Sequence, residues 1–314
     1  MNRVIFQGDV LEKLAEMDKA SIDCIISSPP YWGLRDYGIS GQLGLEPDFR
    51  DYLKTMGKIM VQLKRVLKNT GTCWINLGDT YGHNSGKSRY AIPERFYINC
   101  IDDGWIARNH IPWYKANAMP SSVKDRFANK WESIFFFVKQ QKYYFDLDAV
   151  REKTITESKP FNVRVRDSPK GKYGSLFSAT EDEIANHNSK GERKMLNVGG
   201  QPPHGIHRSR NDGKDDWEYT SKGKNPGDVF FINPRPFPEA HFATFPVDLP
   251  TKILKCACPQ DGIVLDPFFG SGTVGVAAEK LGLRWCGIEL NEEYIKMAKK
   301  RLSPYQNESG WMFD

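Results

Sequence analysis

The sequence lacks an apolar run long enough to cross a membrane, and its N-terminus shows no signal peptide. Cysteine is also scarce, with six residues among 314. Cys24, Cys73 and Cys286 lie inside apolar runs, whereas Cys256 and Cys258 are too close together, and too short of partner ligands, to predict a zinc site. We therefore expect a cytoplasmic protein with reduced, buried thiols and no membrane anchor.

A strong excess of charge of one sign is missing as well. The net charge is +5 and the isoelectric point is near 8.7, which is compatible with a nucleic-acid partner but does not establish one. Hydrophobic residues make up 39% of the chain, which is enough for a packed core. A length of 314 residues allows one large α/β domain with an inserted module.

The most informative stretch lies near the C-terminal end, from Gly262 to Gly275. A short apolar run ends in Asp266, a glycine-rich turn follows, and a helical pattern then begins. The next predicted strand, Arg284–Glu289, also ends in an acid. If these two strands are parallel neighbours, Asp266 and Glu289 meet at the carboxyl edge of a sheet. Nucleotides bind at such edges, and a carboxylate there can accept two hydrogen bonds from a ribose diol.

Residues 270–275 spell G-x-G-x-x-G, a pattern that alone suggests a dinucleotide enzyme. Two features argue against NAD. Three residues, Pro267–Phe269, separate the strand-ending acid from the first glycine, whereas a dinucleotide turn places a glycine there at once. The Asp266 carboxylate would also repel a pyrophosphate, but it suits an amino group. A nucleoside that carries an amino acid fits better, and S-adenosylmethionine (SAM) is such a cofactor.

Two further strands, near the N-terminus, also lead into polar residues. Arg3–Phe6 is a predicted strand followed by Asp9, and Ser21–Ser27 is a second, apolar strand. The second strand runs into Ser28-Pro29-Pro30-Tyr31-Trp32, whose two prolines can neither extend a strand nor donate hydrogen bonds. The pattern predicts a stiff loop that holds a hydroxyl, free carbonyls and two aromatic rings at the sheet edge.

The remaining regular elements follow from apolar periodicity. Predicted helices cover Val10–Met17, Phe49–Lys68, Ala91–Asp103, Asp248–Cys256 and Val274–Leu281, and predicted strands cover Thr72–Leu77, Trp105–Trp113, Ser133–Lys139 and Asp228–Ile232. From about Arg151 to Asp228 the periodicity disappears, and Gly, Ser, Asn, Pro and charged residues dominate. This insert is either a solvated, disordered segment or a loop-rich module that touches a polyanion and becomes ordered on binding.

Several motifs occur in the order typical of one enzyme family. They are Ser28-Pro29-Pro30-Tyr31, Asn76-Leu77-Gly78-Asp79-Thr80-Tyr81, His241–Pro246, Asp266–Thr273 and Gly287-Ile288-Glu289-Leu290. With the catalytic loop first and the cofactor loop last, the chain resembles the permuted β group of the amino-group DNA methyltransferases over nearly its whole length outside the insert. The resemblance implies an α/β, Rossmann-like fold whose seven-stranded sheet is circularly permuted and mostly parallel, with one reversed strand.

The compositional break, taken with the resemblance, predicts the domain organisation. Residues 1–150 and 229–314 would form the SAM-binding catalytic domain, and residues 151–228 would form an inserted, loop-rich target-recognition region. The strand that begins at Arg3 would lie beside the strand that ends at Glu289, which closes the permuted sheet. Double-stranded DNA would be the substrate, and a companion restriction endonuclease would be a partner in a restriction-modification system; the oligomeric state stays open.

Residue roles also follow from the resemblance. Asp266 would accept hydrogen bonds from the methionine amino group, Glu289 would bind the ribose diol, and Asp9 would bind the adenine amino group. The expected cofactor-binding residues are Asp9, Phe242, Ala243, Thr244, Phe245, Pro246, Asp266, Pro267, Phe268, Gly270, Ser271, Gly272, Thr273 and Glu289. The expected catalytic residues, which would form the pocket of the target base, are Ser28, Pro29, Pro30 and Tyr31.

The chemistry would be a direct displacement on a base flipped out of the duplex, with an aromatic ring of Tyr31 or Trp32 stacked on that base. Hydrogen bonds from the exocyclic amine to Ser28 and to the Pro29 carbonyl would draw the nitrogen toward tetrahedral geometry, so much of the acceleration would come from positioning. The sulfonium loses its charge on transfer, so no metal is needed. Methylation at C5 of cytosine needs a thiolate in a Pro-Cys context, and no cysteine here follows a proline.

The first residue of the catalytic loop bears on which atom is methylated. The Ser28 hydroxyl could donate to cytosine N3 while the Pro29 carbonyl accepts from the amine. In the family, Ser-Pro-Pro-Tyr is found mostly in N4-cytosine enzymes and Asp-Pro-Pro-Tyr mostly in N6-adenine enzymes. We therefore predict N4-methylcytosine, with N6-methyladenine as the alternative. Two other classes stay open, namely a nicotinamide oxidoreductase, from the glycine pattern, and a non-catalytic nucleic-acid-binding module, from the insert.

Overall fold

The computed structural model describes residues 3–82, 86–118, 120–153, 223–234 and 245–305. Within these ranges, one sheet contains eight strands: β1 (Val4–Gln7), β2 (Ile22–Ser27), β3 (Leu67–Leu77), β4 (Ile106–Tyr114), β5 (Trp131–Val138), β6 (Phe230–Phe231), β7 (Ile263–Asp266) and β8 (Arg284–Glu289). Their order across the sheet is β1-β8-β7-β2-β3-β5-β4-β6. The predicted α/β class is confirmed.

The sheet is mostly parallel, and β5 is its reversed strand in the part of the chain that the structure describes. β1, β8, β7, β2 and β3 run parallel to one another, while β5 runs antiparallel to both β3 and β4. Seven strands were expected, and the additional one is the two-residue β6, which pairs in parallel with Trp113 and Tyr114. At the opposite edge the permutation closes as predicted, because Gln7 of β1 lies opposite Glu289 of β8.

Helices cover both faces of the sheet. They are α1 (Val10–Glu16), α2 (Phe49–Val66), α3 (Ile92–Asp102), α4 (Asp248–Ala257), α5 (Thr273–Lys280) and α6 (Glu292–Leu302). The alternation of side chains along each strand separates two cores. In β5, Phe135 and Phe137 join the core under α1, α2 and α3, whereas Ile134 and Phe136 join the core under α4, α5 and α6.

Helix α2 shows how the sequence specifies this packing. The Asp48 carboxylate caps its first turn by accepting a 2.7 Å hydrogen bond from the backbone N–H of Arg50. Fully buried side chains recur at helical spacing, namely Tyr52, Met56, Ile59, Met60 and Leu63. Burial of each such side chain stabilises the fold by about 1.5–3 kcal/mol. The helix ends at Val66, two residues before the predicted end, because Leu67 already pairs with Ile22 in the sheet.

Two residues that flank most of the predicted insert, Glu152 and Lys224, lie side by side. Glu152 and Lys224 form an isolated antiparallel bridge, with backbone hydrogen bonds of 3.0 and 2.9 Å. The sheet and its helices belong to a compact unit made of residues 1–152 and 224–314. The predicted insert lies almost wholly outside the described residues, since residues 154–222 are not among them.

Two smaller expectations concern cysteines and membranes. Cys24, Cys73 and Cys286 are buried and carry free thiols, as predicted, and burial raises the pKa of each. None of the helices in the described ranges combines the length and the apolar character that a membrane span requires.

Candidate active site

The carboxyl ends of four neighbouring parallel strands bring the predicted polar residues to one edge of the sheet. Asp9 follows β1, Glu289 ends β8, Asp266 ends β7 and Ser28 follows β2. A cavity of about 380 Å³ opens at this edge, and all four residues line it. We call it the first cavity, and its volume falls in the range of about 300–1,000 Å³ that is usual for small-molecule sites.

Asp266 is the most deeply buried acid of the first cavity, with 2% of its surface exposed. Its Oδ1 accepts hydrogen bonds from Ser27 Oγ at 2.7 Å and from the backbone N–H of Phe268 at 3.1 Å. Burial, with a smaller contribution from the charge of Glu289, raises the Asp266 pKa to about 8 despite these two bonds. A carboxylate that is costly to ionise in isolation is stabilised by a cationic ligand, and an ammonium group would serve.

Glu289 is held by backbone donors on both of its oxygens. The N–H of Gly270 donates to Oε2 at 2.7 Å, and the N–H of Asn291 donates to Oε1 at 2.8 Å. Burial raises the pKa of Glu289, and the backbone hydrogen bonds oppose that shift. A carboxylate has about four acceptor sites, so capacity remains for two hydroxyl donors of a ligand.

The turn that joins β7 to α5 depends on glycine. Gly270 and Gly272 have φ angles of +50° and +79°, a left-handed conformation that glycine adopts without a steric penalty. A Cβ on Gly287 would lie 2.2 Å from the Phe269 ring, which stacks on Trp285 in the core. Phe269 therefore anchors the turn to the sheet, and its backbone N–H donates to the Ile288 carbonyl of β8 at 2.8 Å.

Arg301 of α6 fixes the same turn from its other side. Its Nη1 donates to the Ser271 carbonyl and Oγ, both at 2.7 Å, and to Thr273 Oγ1 at 3.1 Å. Ser271 and Thr273 were predicted to bind the cofactor, and both line the first cavity. Because their hydroxyls bond to Arg301, these side chains shape the turn within the protein.

Asp9 uses one carboxylate oxygen for two structural hydrogen bonds and keeps the other available. It is the N-cap of α1, and its Oδ1 accepts from the backbone N–H groups of Leu11 at 2.8 Å and Glu12 at 3.2 Å. Both bonds use Oδ1, so Oδ2 can accept from a ligand amine in the first cavity.

Most of the predicted cofactor-binding residues meet in the first cavity. Of the predicted residues, those that line it are Asp9, Phe245, Asp266, Pro267, Phe268, Gly270, Ser271, Thr273 and Glu289. Pro246 and Gly272 are described but do not line it. Phe242, Ala243 and Thr244 lie outside the described residues.

The sequence did not predict one wall of this cavity. That wall comes from the segment after the catalytic loop and from α6, and it contains Tyr37, Ile39, Gln42, Leu43, Glu46 and Tyr294. The rings of Tyr37 and Tyr294 meet edge to face with centroids 6.0 Å apart, and burial raises the pKa of both phenols. Residues 37–46 have no strand or helix periodicity, so only the apolar Ile39 and Leu43 in a polar loop hinted at a buried position.

The charge of the first cavity suits a cation. Among its described lining residues the acids are Asp9, Glu46, Asp266 and Glu289, and none is lysine or arginine. A pyrophosphate would be repelled here, whereas the ammonium and sulfonium groups of SAM would be attracted. The cavity therefore fits SAM in both size and charge, and it argues against a nicotinamide dinucleotide.

The catalytic loop contributes to two cavities. Ser28 and Pro30 line the first cavity, and Tyr31 lines a second cavity of about 150 Å³. Pro29 is buried and lines neither. Tyr52 of α2 fixes the loop, since its hydroxyl donates to the Pro30 carbonyl at 2.9 Å.

Tyr31 is the centre of a hydrogen-bond network between the two cavities. Its hydroxyl can donate to Glu132 Oε2 at 2.8 Å or to Asn76 Oδ1 at 3.0 Å, and it accepts from Ser28 Oγ at 3.3 Å. Lys115 Nζ forms a close ion pair with Glu132 Oε1. Burial and the Glu132 charge hold the Tyr31 pKa well above its usual value, so the side chain stays a phenol. Donation from Ser28 to cytosine N3 would require its hydroxyl to turn away from Tyr31.

Glu132 and Lys115 were not predicted from the sequence. Both line the second cavity, together with Trp131 at the start of β5. No motif surrounds Glu132, and its position at the amino end of a reversed strand places it at the same sheet edge as Ser28.

The motif that contains Gly78 and Asp79 supports the catalytic loop. A Cβ on Gly78 would lie 2.5 Å from the Tyr31 ring, so glycine makes room for that ring. The Asp79 carboxylate accepts from Arg89 Nε at 2.8 Å and from the N–H groups of Ala91 and Ile92 at 3.1 Å each. Asp79 therefore closes the loop before α3 and caps that helix.

Comparison of the sequence with known proteins identifies its family. A family model described as DNA methylase, for N6 and N4 enzymes, matches residues 22–300. The chain is 34% identical to the type II methyltransferase M.Cfr9I of Citrobacter freundii, over 95% of this chain and 87% of that relative. It is 32% identical to the type II methyltransferase M.SmaI of Serratia marcescens, over 95% of this chain and 90% of that relative.

Solved methyltransferase structures are similar in fold. The PvuII DNA methyltransferase, described as cytosine-N4-specific, has a TM-score of 0.64 at 18% identity and covers 100% of this chain and 95% of its own. M1.HpyAVI, solved as a complex with SAM, has a TM-score of 0.53 at 17% identity, over 95% of this chain and 98% of its own. From the family match and the identity to type II enzymes, the chain belongs to the N6/N4 DNA methylase family and is a DNA methyltransferase that uses SAM as its cofactor.

Proposed function

We propose that this enzyme transfers a methyl group to the N4 amine of cytosine at a specific site in duplex DNA. The observation that carries the proposal is the position of the Ser28 hydroxyl. It lies at the carboxyl end of β2, lines the cavity that fits the cofactor and bonds to Tyr31 of the second cavity. A hydroxyl rather than a carboxylate begins this loop, and the PvuII enzyme of the same fold carries the description cytosine-N4-specific.

The acids of the first cavity are proposed to hold the cofactor, which supplies an electrophilic methyl group on a sulfonium. Asp266 would accept from the methionine ammonium, where ionisation of its buried carboxyl is offset by the ligand's charge. Glu289 would accept from the ribose hydroxyls while the backbone keeps it in place. Asp9 would accept from the adenine amine through Oδ2.

The second cavity is proposed as the pocket of the target base. A base inside a duplex cannot reach this edge, so the enzyme would flip it out of the stack. Tyr31 and Trp131 supply aromatic surface there. Trp32 is a poorer candidate, because its ring packs on Tyr90 at 4.9 Å beside the core and its indole N–H donates to the Glu46 carbonyl.

Positioning of the amine would then rest on two acceptors. Ser28 Oγ can donate its proton to Tyr31 at 3.3 Å or to Asn76 Oδ1 at 3.4 Å, and in either case its lone pairs are available to the amine. Among the described residues, no protein group donates to the Pro29 carbonyl, which can accept the second N–H. Two such bonds would hold the nitrogen in line for attack, and orientation of this kind accounts for much of the acceleration in displacement reactions.

Sequence recognition is proposed for the insert, residues 151–228. The bridge between Glu152 and Lys224 lets a segment of this length join the domain without disturbing the sheet. Replacement of residues 155–221 by a short Gly-Ser linker should abolish site-selective DNA binding and leave SAM affinity intact in calorimetry. Continued methylation of the same sites would place recognition elsewhere.

The relatives named as type II methyltransferases also suggest a biological setting. We propose that the enzyme acts in the cytoplasm as part of a restriction-modification system, where methylation protects host DNA from a companion endonuclease. Challenge of methylated DNA with such an endonuclease should show protection at the recognised site.

N6-adenine methylation is the second candidate, because the family includes both activities and the two acceptors fit either exocyclic amine. Expression in a host that lacks DNA methylation, followed by sequencing that distinguishes the two modified bases, tests the proposal and reveals the recognised site. N4-methylcytosine at one sequence is the expected result. N6-methyladenine without N4-methylcytosine would overturn it.

A further inference from the structure

Methylation of an exocyclic amine leaves a proton to be removed. The nitrogen gains a bond to carbon, and it must lose one N–H to become a neutral secondary amine. Proton transfer to a positioned group accelerates such steps by about 10²- to 10⁴-fold. The residue that accepts this proton is not evident from the motifs, because Ser28 and Tyr31 are both neutral donors that cannot keep it.

One chain of hydrogen bonds leads from the catalytic loop to Glu132, and a side branch lets Ser28 Oγ donate to Asn76 Oδ1 at 3.4 Å instead. Ser28 Oγ donates to the Tyr31 oxygen at 3.3 Å, and the Tyr31 hydroxyl donates to Glu132 Oε2 at 2.8 Å. The line starts at the hydroxyl assigned to the amine and ends at a carboxylate. We propose that Glu132 accepts the proton released by the amine, through Ser28 and Tyr31; this inference rests on the proposed function of Ser28.

The step balances with these groups alone and the established methyl donor. As the nitrogen lone pair forms the new N–C bond, the C–S bond breaks and its electron pair returns to sulfur. The amine proton moves to Ser28 Oγ, the Ser28 proton moves to the Tyr31 oxygen, and the Tyr31 proton moves to Glu132 Oε2. The products are the neutral, methylated exocyclic amine of the base, a neutral thioether and a protonated Glu132. Ser28 and Tyr31 end in the protonation states in which they began.

Other candidate acceptors are excluded by their contacts. Asn76 bonds to Tyr31, but an amide is too weak a base to take the proton. Asp266 accepts from Ser27 and Phe268, and no described bond connects it to Ser28. Asp79 lines the second cavity, but its oxygens are bonded by Arg89 and by backbone N–H groups.

The contacts of Glu132 leave one carboxylate oxygen placed to receive the proton. Lys115 pairs with Oε1, which leaves Oε2 for the Tyr31 proton. The Glu132 side chain is 24% exposed, so the proton can pass to solvent between turnovers. Tyr31 relays the proton without becoming a phenolate, which matches its raised pKa. The other charged groups that line the same cavity are Asp79 and Arg89.

Glu132→Gln is the first test, since the amide keeps the shape and still accepts a bond from Tyr31 but cannot take a proton. In single-turnover assays with saturating SAM and DNA, methyl transfer should slow by about 10²-fold. SAM affinity by calorimetry and DNA affinity should stay unchanged. Glu16→Gln, on the exposed end of α1, is the matched control and should keep the wild-type rate.

A pH series separates proton transfer from a merely structural role. In Glu132→Gln the methyl-transfer rate should rise with pH as hydroxide takes over as acceptor, whereas a variant that is only misshapen would stay slow throughout. Tyr31→Phe keeps the ring against Gly78 but removes the hydroxyl that links Ser28 to Glu132. It should therefore slow methyl transfer about as much as Glu132→Gln does. The double variant should be no slower than Tyr31→Phe alone. Losses that multiply would contradict a shared path.

A spectroscopic measurement needs neither cofactor nor DNA. The infrared difference between wild type and Glu132→Gln isolates the Glu132 carboxylate band, and the same difference in the Tyr31→Phe background should show that band shifted. An unshifted band would show that Tyr31 does not donate to Glu132 and would overturn the proposal. The infrared test does not depend on a stable Glu132→Gln variant. Carbon-13 labelling of glutamate in wild type and in Tyr31→Phe gives the same comparison.

The relay and the proposed function can fail separately. If Glu132→Gln transfers methyl groups at the wild-type rate, the relay is wrong, whatever base is methylated. If the wild-type product is N6-methyladenine, the proposed cytosine specificity is wrong, but a slow Glu132→Gln would still support the relay because that amine also loses a proton.

Discussion

The two cavities of this active site are assembled in different ways. The first is built where parallel strands end, and Asp9, Asp266 and Glu289 each end or follow a strand of their own. The second combines Tyr31 of the catalytic loop with Glu132, which enters from the amino end of the reversed β5. The first arrangement collects acids for a cation, and the second links a hydroxyl to a carboxylate. Cofactor binding and methyl transfer should therefore respond to different substitutions.

The largest effect is expected for Ser28→Ala, which should lower turnover without changing SAM affinity. Ser28→Ala removes the hydroxyl that the amine would bond and that begins the line to Glu132. Turnover should fall by about 10²-fold or more, because the lost contact acts mainly in the transition state. SAM affinity in calorimetry should stay at the wild-type level. A comparable loss of SAM affinity would show that the two cavities are not separable.

The converse substitution is Glu289→Ala, which should weaken SAM binding without a direct effect on the second cavity. Loss of charge-assisted hydrogen bonds to the ribose corresponds to about 1.5–3 kcal/mol, or roughly a 10- to 150-fold rise in Kd. Glu293→Ala, on exposed α6, is the matched control. Calorimetry that finds wild-type SAM affinity in Glu289→Ala would remove Glu289 from the cofactor site.

A smaller, graded effect should appear in the pH dependence of SAM affinity. The Asp266 pKa is raised to about 8, so the SAM-free protein holds a proton there at neutral pH. An ammonium ligand favours the carboxylate and expels that proton, so affinity should increase as pH rises toward 8, by up to about tenfold per unit. Calorimetry between about pH 5.5 and 7.5, where an α-amino group keeps its charge, should show this trend.

The control for that experiment is Asp266→Asn, which removes the titrating group and should bind SAM weakly with a much flatter pH dependence. Calorimetry in buffers of different ionisation enthalpy should also detect release of a proton by wild type at neutral pH. A wild-type affinity that is independent of pH would mean that Asp266 does not pair with the ammonium.

The smallest effect is expected from Tyr52→Phe, which keeps the buried ring and removes only the donor to the Pro30 carbonyl. One neutral hydrogen bond contributes about 0.5–1.5 kcal/mol to the free energy of unfolding. Denaturant unfolding should show a loss of that size, and SAM affinity should be unaffected. No change in unfolding free energy would mean that the loop does not depend on this bond.

The acids of the first cavity could be picked out from the sequence because their signals are local. Apolar runs that stop at Asp266 and Glu289 specify both the strands and the acids at their ends, and a parallel pairing then brings the acids together. The wall from Tyr37 to Glu46 has no periodicity, so its burial depends on tertiary packing alone. The predicted start of β3, Thr72, was wrong for the same reason: the strand begins at Leu67, where tertiary packing and not apolar periodicity sets its start.

The second cavity shows where such prediction stops. Ser28 and Tyr31 are marked by the Pro-Pro loop, but Glu132 lies 101 positions from Tyr31 and no nearby motif distinguishes it from other acids. Its contact depends on β5 running opposite to β3, which an apolar strand pattern does not encode. Direction and order of strands in the sheet must be known before residues of this kind can be assigned.

The most direct test of the central claim is the chemical identity of the product. Duplex DNA would be treated with wild-type enzyme and with Ser28→Ala in the presence of isotopically labelled SAM, then digested and analysed as nucleosides by mass spectrometry. We predict label in N4-methyldeoxycytidine with wild type and about 10²-fold less with Ser28→Ala. Label in N6-methyldeoxyadenosine alone would contradict the assignment of cytosine as the substrate of the Ser28 loop.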